Sequence, residues 1–274
     1  MARGSEDARQ IERILKHGPL SAFADANLFK AEEVQPILFC PVGYKPNTWG
    51  QQINSLLERL GDWDARFLGE YAAVFDMRYF WQADGLYVIP KPEVLAIHLK
   101  IDRPYEEGWG QLTQKGPLAA LAAQRVVKNW LEDRLTPDLF RLAESARTAL
   151  LQLARQQPKG DFFVVPAQTG KLYAGKSPRN ASWQIEHATF PAQWRWSAYC
   201  VGWSLYTNPH RLQDDVHLFV DCPGDELRFA DTEFDYCPCF RLAAGELYFS
   251  GHWLEDPDGD FGSASALAVV SLGP

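Results

Sequence analysis

Residues 170 to 177, Gly-Lys-Leu-Tyr-Ala-Gly-Lys-Ser, satisfy the phosphate-loop string G-x-x-x-x-G-K-[ST]. In such a loop backbone N–H groups wrap phosphate oxygens, and the lysine reaches the outer phosphates. An apolar stretch, 161–165, precedes the string. A later one, 216–220, ends in Asp221, where an acid could hold magnesium. Gly170, Gly175, Lys176, Ser177 and Asp221 thus outline a magnesium-nucleotide enzyme. Two features oppose it. Ser177 would sit in the first turn of a helix, yet Pro178 drives the residue before it towards extended geometry. Leu172 and Tyr173 are bulky for a loop that closes on phosphate. The competing structure is a hairpin turning at Thr169-Gly170-Lys171.

Metal-ligating residue types fall in three further groups. Cys237-Pro238-Cys239 with Cys222 and His252 supplies four tetrahedral zinc ligands by type. The two-to-four-residue spacing within a ligand pair is missing, so buried thiols acting as small apolar groups are favoured. His210, Asp214 and His217 combine imidazole and carboxylate, the mixture of a metal-assisted hydrolase. A polar loop running into a strand explains them equally well, and the loop is favoured. Asp256 to Asp260 opens like a calcium loop, but Leu267 stands where the twelfth-position acid belongs. No nucleophile elbow, dinucleotide fingerprint or zinc-protease helix is present.

Aromatic side chains offer a different chemistry. Ten tryptophans are present, and Trp194, Trp196 and Trp203 fall in one apolar stretch with Tyr199 and Tyr206. Taken as a strand, 194–206 puts Trp194, Trp196, Cys200 and Tyr206 on one face and Tyr199 and Trp203 on the other. Core packing accounts for most of these rings, although indole and phenol also make good ligand walls. Along 246–254 the face carrying Tyr248, Ser250 and His252 is polar and its opposite apolar. If that polar face looks into a concavity, it supplies the convergent polar groups of a pocket. Trp194, Trp196, Tyr206, Tyr248 and His252 are the ligand-binding candidates.

These residues must be positioned by a frame, and 117–157 predicts its centre. Pro117 suits a first helical position. Leu118, Leu121, Ala122, Val126, Val127, Trp130, Leu131 and Leu135 then recur at spacings of three and four. Thr136-Pro137-Asp138 restarts a helix whose stripe runs through Leu139, Leu142, Ala146, Leu150 and Leu153 until Pro158 and Gly160 stop it. Earlier, Ser5 caps a short helix closed near Gly18, and 37–42 predicts a brief strand. Thr48-Trp49-Gly50-Gln51 is a capping box, opening a helix that Gly61 closes. Asp84-Gly85 suggests a hairpin between strands 71–81 and 86–89, and 94–101 predicts another strand. Further strands are expected at 194–206, 216–222, 234–242, 246–254 and 266–272, with a turn at Ala244-Gly245. Pro238 should mark an edge or a bulge.

The expected fold class is therefore α+β. A central antiparallel helix pair packs on a largely antiparallel, meander-rich β-sheet in the C-terminal half. The expected division is 1–157 and 158–274, or one continuous domain, because Pro158-Lys159-Gly160 is too short for a flexible linker. With 46% hydrophobic and 23% charged residues the chain can bury a large core. A net charge of −8 without a basic run disfavours nucleic acid and anionic membranes as partners. No signal-peptide-like or membrane-spanning run is present, which leads to the expectation of a cytoplasmic protein with five free thiols. The leading functional expectation is a binding or regulatory protein. It would recognise a peptide, partner protein or small ligand at an aromatic-lined cleft or sheet edge, without a cofactor; an open edge would equally serve homodimerisation.

Overall fold

Local signals settle where the first helix stands. In the computed structural model, which describes residues 27–78, 80–189, 191–229 and 233–268, Thr48 and Gln51 form the full capping box at the head of α1 (Trp49–Leu60). Gly61, at φ 85°, closes it. The helix expected after Ser5 lies outside the described residues.

Along the chain follow α2 (Leu68–Ala73), β1 (Gly85–Pro90), α3 (Pro92–Leu99), α4 (Trp109–Thr113), α5 (Ala119–Gln124), β2 (Val127–Asn129), β3 (Phe140–Leu142) and α6 (Glu144–Gln156). Then come β4 (Phe162–Ala174), α7 (Pro178–Glu186), β5 (Gln193–Arg195), α8 (Ala198–Thr207), β6 (Phe219–Asp221), β7 (Asp225–Leu227), β8 (Tyr236–Ala243), β9 (Glu246–Trp253) and β10 (Phe261–Leu267). Among the described residues the strands make one ten-stranded sheet with a backbone order β1-β4-β10-β6-β8-β7-β3. β5 joins β10, β9 joins β8, and β2 joins β9. Strands from before and after residue 157 share this sheet.

The architecture is mixed α and β, and the sheet is mixed too. β10 runs parallel to β6 and β2 parallel to β9, while the remaining pairs are antiparallel. The expected central helix pair is corrected. Pro117 lies inside a π-helical turn (Gln114–Leu118), and α5 stops at Gln124 because Arg125 turns extended. The β-branched Val126 and Val127 then pair with β9, and Thr136-Pro137-Asp138 leads into β3 rather than a helix. Sheet pairing overrides a helical spacing here. From the second stripe, Ala146, Leu150 and Leu153 remain buried on α6.

The element at the centre is instead α8, which replaces most of the strand expected over 194–206. Ser197 accepts the Cys200 N–H as its cap, and the Asp225 carboxylate accepts the Ala198 N–H at 2.5 Å. Every residue of α8 is buried. A helix apolar all round shows no period of its own, so the run looks like a buried strand. Tyr199, Trp203 and Tyr206 consequently share one face, with consecutive rings in contact. Gly202 lets α8 approach the π-turn, since a Cβ there would stand 2.8 Å from Pro117 Cβ. The strand expected at 94–101 is also a helix, α3, which buries Pro92, Leu95 and Ala96 and is ended by Lys100 at φ 55°.

The hairpin expected at Asp84-Gly85 is also corrected: α2 occupies part of its first arm, and β1 pairs with β4 instead. Pro238 sits inside β8, between β9 and the end of β6, where its carbonyl accepts the Cys222 N–H at 2.8 Å. The strand predicted over 266–272 begins five residues earlier, at Phe261, and residues 269–272 lie outside those described. Buried glutamines complete the ladder where strands lack neighbours. Gln52 accepts from Val88 N and donates to Leu86 O, closing the outer side of β1. Gln157 does the same for Val164 in β4.

Candidate functional site

The β8–β9 hairpin brings the polar face of β9 into register with one face of β8. Ala244 and Gly245 take φ 50° and 76°, as a two-residue hairpin turn demands, and Ala243 pairs with Glu246. Counting back from that turn, Arg241 faces Tyr248, Cys239 faces Ser250, and Cys237 faces His252. Asp221 of β6 then pairs with Cys239, and Ser263 of β10 with Asp221. Register partners point to the same side, so a polar row crosses four strands: Ser263, Asp221, Cys239, Ser250.

Over this face lies a cleft of about 450 Å³. Ser250, Gly251 and Phe261 line it from the sheet, and Trp130, Arg134 and Phe229 from the connecting segments. Trp130 is held by its own N–H, which donates to Phe249 O at 2.9 Å, while the indole remains 59% exposed. Its ring meets Tyr248 edge-on at 5.2 Å. The Arg241 guanidinium lies against both rings, 4.8 Å from the Trp130 centroid and 5.0 Å from that of Tyr248. Arg134 lies 4.4 Å over Phe229. Neither guanidinium makes an ion pair or hydrogen bond with another described residue. Two cations thus lie on aromatic faces with no counter-charge among the described residues, an arrangement that can accept an anion.

Beside the cleft, behind Phe261, sits a buried acid–imidazole pair. His252 Nδ1 and Asp221 Oδ1 are 2.9 Å apart, and the imidazole packs on Phe261 at 4.3 Å. Burial works against charge on this ring, but Asp221, through its charge and its hydrogen bond, with Asp258 and Asp256 further off, holds His252 above its ordinary value. His252 Nε2, Asp221 Oδ2 and Ser263 Oγ are buried and make no hydrogen bond with another described residue. Cys239 Sγ lies 3.2 Å from Ser250 Oγ, and burial pushes its thiol up to about 12. A thiol held so high carries little thiolate at neutral pH.

Of the ligand-binding candidates none lines this cleft itself: Tyr248 touches its wall through Trp130, and His252 lies behind Phe261. Trp194 and Trp196 are core residues, and Tyr206 is buried with its hydroxyl donating to Ser55 O at 3.2 Å. Arg134, Arg241 and Phe229 carry no signal of their own in the sequence, where Trp130 reads only as part of a helical stripe and the four are scattered across 112 positions. The hairpin turn at Ala244-Gly245 was the available signal, because it fixes Arg241 opposite Tyr248.

The phosphate-loop string takes another form. Gly170 to Ala174 belong to β4, and a helix does begin after Ser177, but Ser177 is its cap, with ψ 151° before Pro178. The N–H groups of Gly170 and Leu172 donate to Gln168, that of Gly175 to Phe261 O, and that of Ser177 to Glu32 O. Lys176 pairs with Glu33 at 2.6 Å and Asp221 with His252, so the five residues do not converge on one anion. His210, Asp214 and His217 line one shallow depression beside Tyr44. His210 Nε2 bonds Lys45 O at 3.0 Å, and His217 Nδ1 accepts the Asp214 N–H at 3.3 Å. Cys222 follows Asp221 on the strand and so faces away from the row holding Cys239. Among the described residues no group of three His, Cys, Asp or Glu side chains is arranged to hold a metal. No helix among them is long and apolar enough to cross a membrane. No protein-family model matches this chain, nor does any curated protein or solved structure.

Proposed function

We propose that this chain is a binding protein whose Trp130–Arg241 cleft takes a small anionic ligand with a flat apolar body. The observation that carries this reading is the pair of guanidiniums, Arg134 and Arg241, each backed by an aromatic ring and neither neutralised by a described carboxylate. A flat body inserts between Trp130 and Phe229, while the acid group takes charge-assisted hydrogen bonds from the arginines. The volume suits a small molecule. Strand addition at β1 is the weaker reading, because Gln52 already takes the outward N–H and C=O of that strand.

Trp130 makes its own reporter. Titrating aromatic carboxylic acids while following tryptophan fluorescence should give saturable quenching, and the corresponding neutral amides should bind far more weakly. Arg241→Met should cost about 1.5–3 kcal/mol, roughly a tenfold to hundredfold loss. Acids and amides binding alike, or Arg241→Met binding as tightly as the parent, would end the proposal.

A further inference from the structure

The segment that mimics a phosphate loop builds something different on the far reach of β4. Ala264 pairs with Thr169, but Gly262 pairs with Ala174, so β4 bulges out from β10 over 170–173. Gly170, at φ 106°, lies against Gly262, and a Cβ on it would stand 2.7 Å from the Gly262 carbonyl oxygen. Gln168 fills the bulge from inside, accepting the N–H groups of Gly170 and Leu172. Bulges re-aim the side chains around them. This one presents Lys171 to a second cleft, of about 260 Å³, shared with Cys40, Tyr44 and Asp84 under the 39–44 loop.

Asp84 is the fixed point of that cleft. Its Oδ2 accepts the Thr169 N–H and the Thr169 hydroxyl, both at 2.8 Å, and the Tyr87 hydroxyl at 3.4 Å. Tyr87 in turn lies 3.1 Å from the Tyr44 hydroxyl. Behind Thr169 the fully buried Arg211 donates to its Oγ1 at 2.7 Å, to its carbonyl, and to Leu218 O at 2.9 Å. Thr169 therefore joins a buried cation to a half-buried carboxylate. Asp84 Oδ1 has no hydrogen-bond partner among the described residues. Lys171 lines the same cleft with its side chain exposed, yet makes no ion pair with Asp84 or any other described carboxylate.

A fixed acceptor and a mobile ammonium thus face one small space without neutralising each other. We infer that this second cleft binds a small zwitterion of the free α-amino acid class, with Asp84 receiving the ammonium and Lys171 the carboxylate. The Tyr44 hydroxyl is a further polar partner, and the lysine's four-carbon stem adjusts to ligand size. An amine alone leaves Lys171 unpaired, and an acid alone leaves Asp84 Oδ1 unpaired. Opposite charges held on one carbon satisfy both.

Cys40 provides the test. It lines this cleft and is only half-buried, whereas Cys200, Cys222, Cys237 and Cys239 are buried. Alkylation of the full-length protein with iodoacetamide, followed by intact mass, therefore reads this cleft and not the Trp130 cleft. A free amino acid at ten times its Kd should slow Cys40 labelling about tenfold and raise the melting temperature. Its N-acetyl derivative should give neither effect. The methyl ester, which consumes reagent through the same amine, should leave the labelling rate unprotected. Lys171→Met should abolish protection without changing the melting temperature of the free protein, and Asp84→Asn, which keeps an acceptor for the Thr169 N–H, should also lose it. The inference is overturned if no free amino acid protects Cys40, if the acetylated form protects as well, or if Lys171→Met is protected like the parent.

Discussion

Replacing Gln52 should expose how much the outer strand of the sheet depends on one amide. Gln52 is fully buried on α1. Its Nε2 donates to Asn47 O at 2.7 Å and Leu86 O at 2.8 Å, and its Oε1 accepts from Val88 N at 2.9 Å. Gln52→Leu fills most of the same volume but offers neither donor nor acceptor. Each buried backbone group left unpaired costs about 1–3 kcal/mol. Val88 N and one carbonyl stay beyond the reach of water, so a loss of about 3 kcal/mol is expected after the small apolar gain. With a urea dependence of about 3 kcal/mol/M, that is a midpoint shift of about 1 M at unchanged slope. Gln52→Glu adds a sign test. The carboxylate still accepts from Val88 but confronts two carbonyl oxygens, and protonation restores one donor. Its folded pKa is therefore raised above the ordinary value of about 4.3. The stability it lends is present at low pH and disappears as pH rises through that raised value. A Gln52→Leu midpoint within about 0.2 M of the parent, or a Gln52→Glu protein indifferent between about pH 4 and 7, would refute the claim that this side chain completes the ladder.

Three further outcomes follow from particular contacts. Burial raises Asp225 to about 7, against the opposing bonds from Ala198 N–H and Trp109 Nε1–H. The unfolded carboxyl ionises first, so the parent should lose about 4 kcal/mol between roughly pH 4 and 7, a loss that Asp225→Asn removes from the difference in urea midpoints. A parallel pair of pH profiles would contradict it. His252 is shifted upward by Asp221, so its contribution is intact below its unfolded value of about 6.5 and fades as pH rises through the higher folded value. Thermal melts of His252→Gln should lack that alkaline decline. Gly202→Ala puts a methyl against the Pro117 ring and should cost about 1–3 kcal/mol by chemical denaturation; no loss would mean that the π-turn yields easily.

Sequence signals worked where they were local and failed where the neighbours decided. Thr48 and Gln51 carry their own capping chemistry, so α1 was found with its ends. Ala244-Gly245 between two alternating strands likewise gave β8 and β9. The run 194–206 contains no such asymmetry, because every side of α8 meets protein, and only Ser197 marks the start of the helix. At Val126 and Val127 a helical spacing lost to a free position beside β9, which nothing within 117–135 records. The same division holds at the clefts. Alternation along a single strand was enough to put Tyr248, Ser250 and His252 on one face of β9. Arg134, Asp84 and Arg211 became meaningful only once distant segments met, as with the 42 residues separating Arg211 from the Thr169 it holds.

A helix surrounded on all sides also has a history during synthesis. α8 ends at Thr207, and β10, which together with β6 and β8 completes the central sheet, ends at Leu267. At roughly 5–20 residues per second, about sixty residues of translation keep the apolar α8 segment waiting for some 3–12 seconds. Over that interval a stretch holding Tyr199, Trp203 and Leu205 emerges from the ribosome with no finished surface to rest on. Slower translation beyond Asn208 should therefore lower the yield of folded protein by lengthening that interval.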